Sequence, residues 1–285
     1  MFRFRNCVSV IVFIIISILM IGCAKSAEGS ELVQSYFEGE NPDSDEMDQE
    51  YPYNFVAHLL PVPNLEWSPL NIDITEYLYR ETIRPVEGKM VALTFDDGPG
   101  WYTVQLLDIL EEYDARATFF VQGDRISENS AAMVRAVELG NEVAGHSWTH
   151  ANFTGLEPAE MAEEILRTST LIERYTGVRR PFYRAPFGAI DDMVEQVSRA
   201  LGYAMIGWTM DILDWYHLDS DKMYHQIVDN VRDGDIILMH DIYESTIIAM
   251  EHVIPWLIEE GYTLVTISEL LYHNEVQLVP GKAFP

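Results

Sequence analysis

From Lys89 onward, short apolar runs of strand length alternate with segments of helical period, and no other feature constrains the fold of this chain as strongly. Candidate strands are Met90 to Phe95, Ala117 to Val121, Glu142 to Ala144, Phe182 to Arg184, Tyr203 to Trp208, Asp235 to Met239 and Thr263 to Val265. Helical patterns lie between them at Tyr102 to Tyr113, Ser130 to Leu139, Pro158 to Tyr175, Asp191 to Leu201, Asp221 to Val231 and Thr246 to Glu260. A helix between two strands returns the chain to the end where the first strand began, so the next strand pairs in parallel. The pattern therefore predicts an α/β protein with a parallel sheet covered by helices, either closed as a barrel or open and doubly wound. The number of strands fits a barrel slightly better.

The ends of the chain have a different character. A cationic start, Met1-Phe2-Arg3-Phe4-Arg5, precedes an apolar run from Val8 to Ile21 broken only by Ser9 and Ser17. That run falls short of the roughly 20 residues that span a bilayer, so residues 1–22 are expected to be an export signal. Met20-Ile21-Gly22-Cys23 is similar to the cleavage box of bacterial lipoproteins, in which a small residue precedes a lipidated Cys, although Met20 stands where Leu is usual. An exported protein, lipid-anchored to the membrane through Cys23 and facing the envelope, is the expectation. Cys7 would leave with the signal, so no thiol is left over for a disulfide. Residues 23–50 read as a disordered acidic linker, 51–88 as a partly ordered lead-in rich in Tyr and Pro, 89–275 as the main domain and 276–285 as a C-terminal tail. A formal net charge of −28 argues against nucleic acid as a partner, because phosphate binding relies on clustered Lys and Arg. A monomer is expected.

Polar and ionisable residues collect where the candidate strands end, which is where parallel α/β folds place their active sites. Thr94-Phe95-Asp96-Asp97-Gly98-Pro99 closes the first strand and His146-Ser147-Trp148-Thr149-His150 follows the third. Arg184-Ala185-Pro186-Phe187-Gly188 follows the fourth, Asp211-Ile212-Leu213-Asp214-Trp215 the fifth and Leu238-Met239-His240-Asp241 the sixth. His146 and His150, four apart, can point the same way on a turn of helix, and one Asp completes a two-His-one-carboxylate shell with positions open for water. Neighbouring side chains of an extended segment point to opposite faces, so one of Asp96 and Asp97 would ligate while the other approaches a bound water. Taken singly, Asp-Asp-Gly is usually a turn and His-x-x-x-His a solvated helix face; their joint occurrence at strand ends is what points to a divalent-metal site. The same shell serves non-haem Fe(II) oxygenases, although those sites commonly sit in all-β folds.

These motifs, Thr-Phe-Asp-Asp-Gly-Pro, His-Ser-x-x-His, Arg-Ala-Pro-Phe-Gly, Asp-x-x-Asp-Trp and Leu-x-His, resemble in order those of the polysaccharide deacetylases of the NodB-homology group, carbohydrate esterase family four, over about Lys89 to Leu271. The resemblance implies a distorted (β/α)7, TIM-like barrel and a catalytic domain over 89–275. It implies Asp97, His146 and His150 as ligands of a divalent metal, zinc by default with Co2+ or another ion as alternatives. Asp96 would be the general base and Arg184 its partner. The backbone N–H of Phe187 would stabilise the oxyanion, where many relatives carry Tyr. His240 would be the general acid, biased toward imidazolium by Asp214, with Trp215 forming a groove wall and Leu238 part of an acetyl pocket. Asp211 is left unassigned, since a second carboxylate at a strand end can simply cap the following loop.

The implied reaction is hydrolysis of N-acetyl groups on N-acetylglucosamine units of an extracellular polysaccharide. Peptidoglycan is the first expectation; chitin oligomers and O-acetylated xylan are the alternatives, and a non-catalytic cell-wall-binding protein is the rival of another class.

Overall fold

The computed structural model describes residues 83–285. The expected signal 1–22, Cys23, the acidic linker 23–50 and the lead-in as far as residue 82 lie outside the described residues. The first part of the fold runs β1 (Lys89–Asp96), α1 (Thr103–Glu112), β2 (Thr118–Val121), α2 (Gly123–Ile126), α3 (Ser130–Glu138), β3 (Glu142–Gly145), α4 (Pro158–Thr176) and β4 (Phe182–Tyr183). It continues through α5 (Asp192–Leu201), β5 (Ala204–Ile206), β6 (Met210–Asp211), α6 (Asp214–His217), α7 (Ser220–Val228), β7 (Asp235–His240), α8 (Glu244–Glu259), β8 (Tyr262–Leu264), α9 (Ile267–His273) and β9 (Ala283–Phe284).

All ladders are parallel, in the order β6-β7-β1-β2-β3-β4-β5-β9, with β8 against the first residues of β1. β5 and β6 stand toward opposite edges of that order yet are joined by residues 207–209 alone, so the sheet has to curl until its edges approach. The result is the distorted (β/α)7-type barrel, open where no ladder joins β5 to β6.

β1 shows why the strands read as unbroken apolar runs. Val91, Leu93 and Phe95 face outward into one cluster with Leu106, Leu107 and Leu110 of α1 and Ile254 and Leu257 of α8. Met90 and Ala92 face inward with Phe120, Ala144, Phe182, Ala204 and Ile206. Both faces are therefore covered, and each fully buried Leu or Phe contributes roughly 1.5–3 kcal/mol relative to exposure. A third cluster, Met161 and Ile165 of α4 with Val194 and Val197 of α5, seals β4 and β5 through Tyr183 and Met205.

Two short strands fall outside the sequence expectation. β6 lies inside a stretch read as loop, and β9 lies in residues 276–285, read as a tail. Ala283–Phe284 pairs with β5 and Leu278 is buried in the inner cluster, so this segment is bound to the sheet edge. The end of the lead-in is bound as well, since the Arg84 N–H donates to Glu269 and its guanidinium to Leu264 O.

Candidate metal centre and active site

Asp96 ends β1 with its side chain on the inner face, and the chain then turns sharply because Asp97 takes a left-handed conformation, φ 71°. The turn breaks the alternation expected of an extended pair. Both carboxylates face the same ring: Asp96 Oδ2 and Asp97 Oδ1 each lie 3.6 Å from His146 Nε2. The two histidines are not on a helix as the spacing suggested. Residues 146–150 form a loop after β3 with Ser147 at φ 64° and His150 at φ 60°, and the ring centroids stand 5.0 Å apart.

Asp97, His146 and His150 offer ligand atoms within 4.8 Å of one another, and His150 Nε2 is 3.3 Å from Asp97 Oδ1. The separations of Asp97 Oδ1 from the two imidazoles, 3.6 and 3.3 Å, match the edges of a tetrahedron whose centre is about 2.0–2.2 Å from each donor. Two further observations fit a cation there. Asp97 Oδ1 is buried with no hydrogen-bond partner, an expensive state for a carboxylate oxygen unless an ion takes it. Burial also holds the His146 pKa down to about 3, against the pull of Asp97, so the ring is neutral, and its Nδ1 is engaged by Arg184 O at 2.9 Å, leaving Nε2 to ligate.

Asp96 is held from the other side. Arg184, fully buried, crosses the barrel interior: Nη1 donates to Asp96 Oδ1 and to Thr94 Oγ1, both at 2.8 Å, and Nη2 to Gly207 O at 2.7 Å. The guanidinium lies 4.1 Å over the Phe120 ring, which keeps water from its face. Oδ1 is thus committed and Oδ2 remains toward the centre. Burial raises the Asp96 pKa, opposed mainly by Arg184 and then by His240.

His240, the last residue of β7, sits beside Asp96 in register. Its Nδ1 bonds Asp214 Oδ1 at 2.8 Å, and its own N–H donates to Asp214 Oδ2 at 2.7 Å. Asp214 is wholly buried and also accepts the Trp215 N–H and the Thr246 hydroxyl, so its carboxylate is fixed by four donors. Burial of the ring disfavours charge on His240, but the hydrogen bond and charge of Asp214, with Asp96 and Asp97 behind it, raise its pKa to about 9. Asp211, unassigned from sequence, accepts the Leu213 N–H at 2.8 Å in the loop that follows β6.

The remaining expected residues are spread over the mouth. Phe187, at φ 61°, lies in the turn after β4 with its ring exposed and edge-on to His150 at 4.6 Å. Trp215 is half exposed on α6, and Leu238 is buried in β7 with Thr94 and Asp211 as register partners. Thr246, Glu164 and Asp241 belong to this region and had no assignment from sequence. Asp241 stands next to His240 and is completely buried; burial raises its pKa to about 7, and Thr103 Oγ1 donates to its Oδ2.

A curled parallel barrel with donors for one cation at its C-terminal mouth, flanked by an arginine-bound carboxylate and a carboxylate-bound imidazole, defines an α/β-barrel protein with a candidate divalent-metal centre. The chain belongs to the polysaccharide deacetylase family, whose model matches residues 83–206. It is 37% identical over 191 residues to the peptidoglycan-N-acetylmuramic acid deacetylase PdaC of Bacillus subtilis, covering 67% of this chain and 40% of that protein. It is 34% identical over 197 residues to a peptidoglycan-N-acetylglucosamine deacetylase of Bacillus cereus, covering 67% of this chain and 92% of the relative. Among solved structures, a family 4 acetyl xylan esterase from Clostridium thermocellum in complex with a cobalt ion superposes with a TM-score of 0.64 at 31% identity, over 69% of this chain and 98% of the esterase.

Proposed function

We propose that this protein is an exported, membrane-tethered hydrolase that removes N-acetyl groups from N-acetylglucosamine units of peptidoglycan. The carrying observation is that the Asp97, His146 and His150 donors converge beside a free Asp96 oxygen while His240, bound to Asp214, ends the neighbouring strand.

Asp97, His146 and His150 would hold a divalent cation, zinc by preference, and when bound it would supply polarisation of the acetyl carbonyl and a water whose pKa is brought toward neutrality. Asp96 accepts the proton of the attacking water on Oδ2, the oxygen that Arg184 leaves free. The Phe187 N–H serves as a donor to the developing oxyanion. As the C–N bond breaks, His240 delivers its proton to the departing amine, giving acetate and the free amino sugar. Trp215 is suited to line the groove and Leu238 to receive the acetyl methyl. Support for the substrate comes from the Bacillus cereus relative, matched over nearly its whole length and named for N-acetylglucosamine.

A second reading is hydrolysis of O-acetyl groups on xylan, favoured by the likeness to the acetyl xylan esterase. Chitin oligomers are a third candidate substrate. The envelope address rests on the signal-like residues 1–22, on Cys23 after a small residue and on the acidic stretch that follows. One experiment separates these readings: acetate released from peptidoglycan, chitin oligomers and acetylated xylan, with and without a chelator. Chelator-sensitive release from peptidoglycan above the others supports the proposal; release from none of them defeats it. Radiolabelled palmitate incorporated in the parent and absent in Cys23→Ser tests the tether.

A further inference from the structure

The two histidines of the metal centre are carried on a loop with no regular structure of its own, so other groups must hold its shape. The loop passes through left-handed backbone at Ser147 and again at His150, neither of which is glycine. Such backbone is strained in any residue with a Cβ and relaxes unless its surroundings prevent it. Carbonyl groups of the loop are taken by the start of α2, where Gly123 N–H donates to Ser147 O at 2.9 Å and Asp124 N–H to Trp148 O at 3.1 Å.

Two of the three N–H groups between the two ligands are taken by one side chain, Glu164 of α4. Its Oε2 accepts the Trp148 N–H at 2.7 Å and the Thr149 N–H at 2.8 Å, and its Oε1 accepts the Thr149 hydroxyl at 2.8 Å. The next N–H, that of His150, donates to Ser147 Oγ at 2.8 Å within the loop. α4 is a firm base for this contact. It starts at Pro158 behind a capping box of Glu157 and Glu160 and ends on Gly177 in a left-handed cap. One turn beyond Glu164, Arg167 lies 3.8 Å over the Trp148 ring and pins the loop a second time.

We propose that Glu164 is a positioning residue for the metal centre: its carboxylate fixes the loop between His146 and His150 so that both imidazoles stay aimed at Asp97. It touches neither imidazole, and it acts through the peptide groups of Trp148 and Thr149. The inference rests on the cation site of the proposed function, and a purely structural role for Glu164 makes a different prediction. A structural anchor lowers the stability of the metal-free fold; a positioning residue lowers affinity for the metal.

The test uses the full-length protein, stripped with a chelator, as parent, Glu164→Ala and Glu164→Gln. Zn2+ affinity is read by competition with a chromophoric chelator, and the metal-free Tm by circular dichroism. Removing an outer partner of a metal site typically weakens binding about 10- to 100-fold, and that range is expected for Glu164→Ala. Glu164→Gln retains a carbonyl acceptor and is expected to fall between that variant and the parent, with metal-free Tm near the parental value in both. If Glu164→Ala does not fold, Glu164→Gln carries the comparison. Parental Zn2+ affinity in a folded variant, with or without a lowered metal-free Tm, overturns the proposal. A parent that binds no Zn2+ overturns the cation site itself, which is a separate and recognisable result.

Discussion

Replacing Asp214 by Asn removes one negative charge from the His240 ring while leaving nearly the same volume, and the structure sets the size of the consequence. The groups facing His240 are Asp214 at hydrogen-bond distance, Asp96 and Asp97 further off, and the Tyr243 ring at 5.8 Å between centroids. With Asp214 ionised, His240 titrates at about 9 despite the burial that opposes its charge. Without it, burial, the largest effect on the ring, is opposed only by the weaker pull of Asp96 and Asp97, and the pKa falls to about its ordinary 6.5, a loss of roughly 3 kcal/mol of preference for the charged ring. At pH 8 the imidazolium fraction drops from about nine-tenths to about 3%, so amide deacetylation slows by ~30-fold from protonation alone. Its alkaline limb moves from about 9 to about 6.5. An activated aryl acetate has a leaving group that needs no proton, and its hydrolysis should fall far less. The assay is a pH–rate profile of acetate release from peptidoglycan fragments set beside aryl acetate hydrolysis. An unmoved alkaline limb, or equal losses on both substrates, would refute the assignment of His240 as acid. By the same linkage the pair stabilises the fold fully below the unfolded pKa near 6.5, and this contribution is lost as pH rises through about 9.

Asp96→Asn should lower kcat on peptidoglycan fragments by about 100- to 10,000-fold, the usual range for a general base, with Zn2+ affinity within a few-fold of the parent; parental turnover would rule out a base at this position. Arg184→Met leaves the buried Asp96 carboxylate without its partner, and breaking such a pair costs about 3–5 kcal/mol. A urea midpoint unchanged in that variant would show the ion pair to be dispensable. Trp215→Ala should raise KM for chitin oligomers several-fold, in line with ~1 kcal/mol for a stacked aromatic, with little change on an aryl acetate; equal KM values for parent and variant on the oligomers would remove Trp215 from the groove.

What could be read from sequence follows from where the physics is local. Parallel strands buried on both faces are runs of apolar residues whatever lies around them, so β1 and β7 stand out unaided. β6 and β9 are two residues each and exist through the strand they pair with, Met210–Asp211 against β7 and Ala283–Phe284 against β5, for which no local signal is available. The same division runs through the site. Asp96, Asp97, His146, His150 and His240 announce themselves by chemistry and by position at strand ends. Their geometry was not legible, because left-handed backbone at Asp97, Ser147 and His150 is imposed by contacts from distant elements.

Gly98 shows how far that can mislead. In an Asp-Asp-Gly sequence a glycine suggests freedom of φ, yet Gly98 is absent from the positive-φ residues; what it supplies is space. A Cβ there would stand 2.4 Å from Asp241 Oδ1, and that carboxylate is completely buried and bonded through its other oxygen to Thr103. The turn that carries Asp97 into the candidate metal centre is thus seated on the residue next to His240. Two motifs far apart in the chain, one bearing the proposed ligand and base and the other the proposed acid, meet at a glycine whose lack of a side chain makes the contact possible.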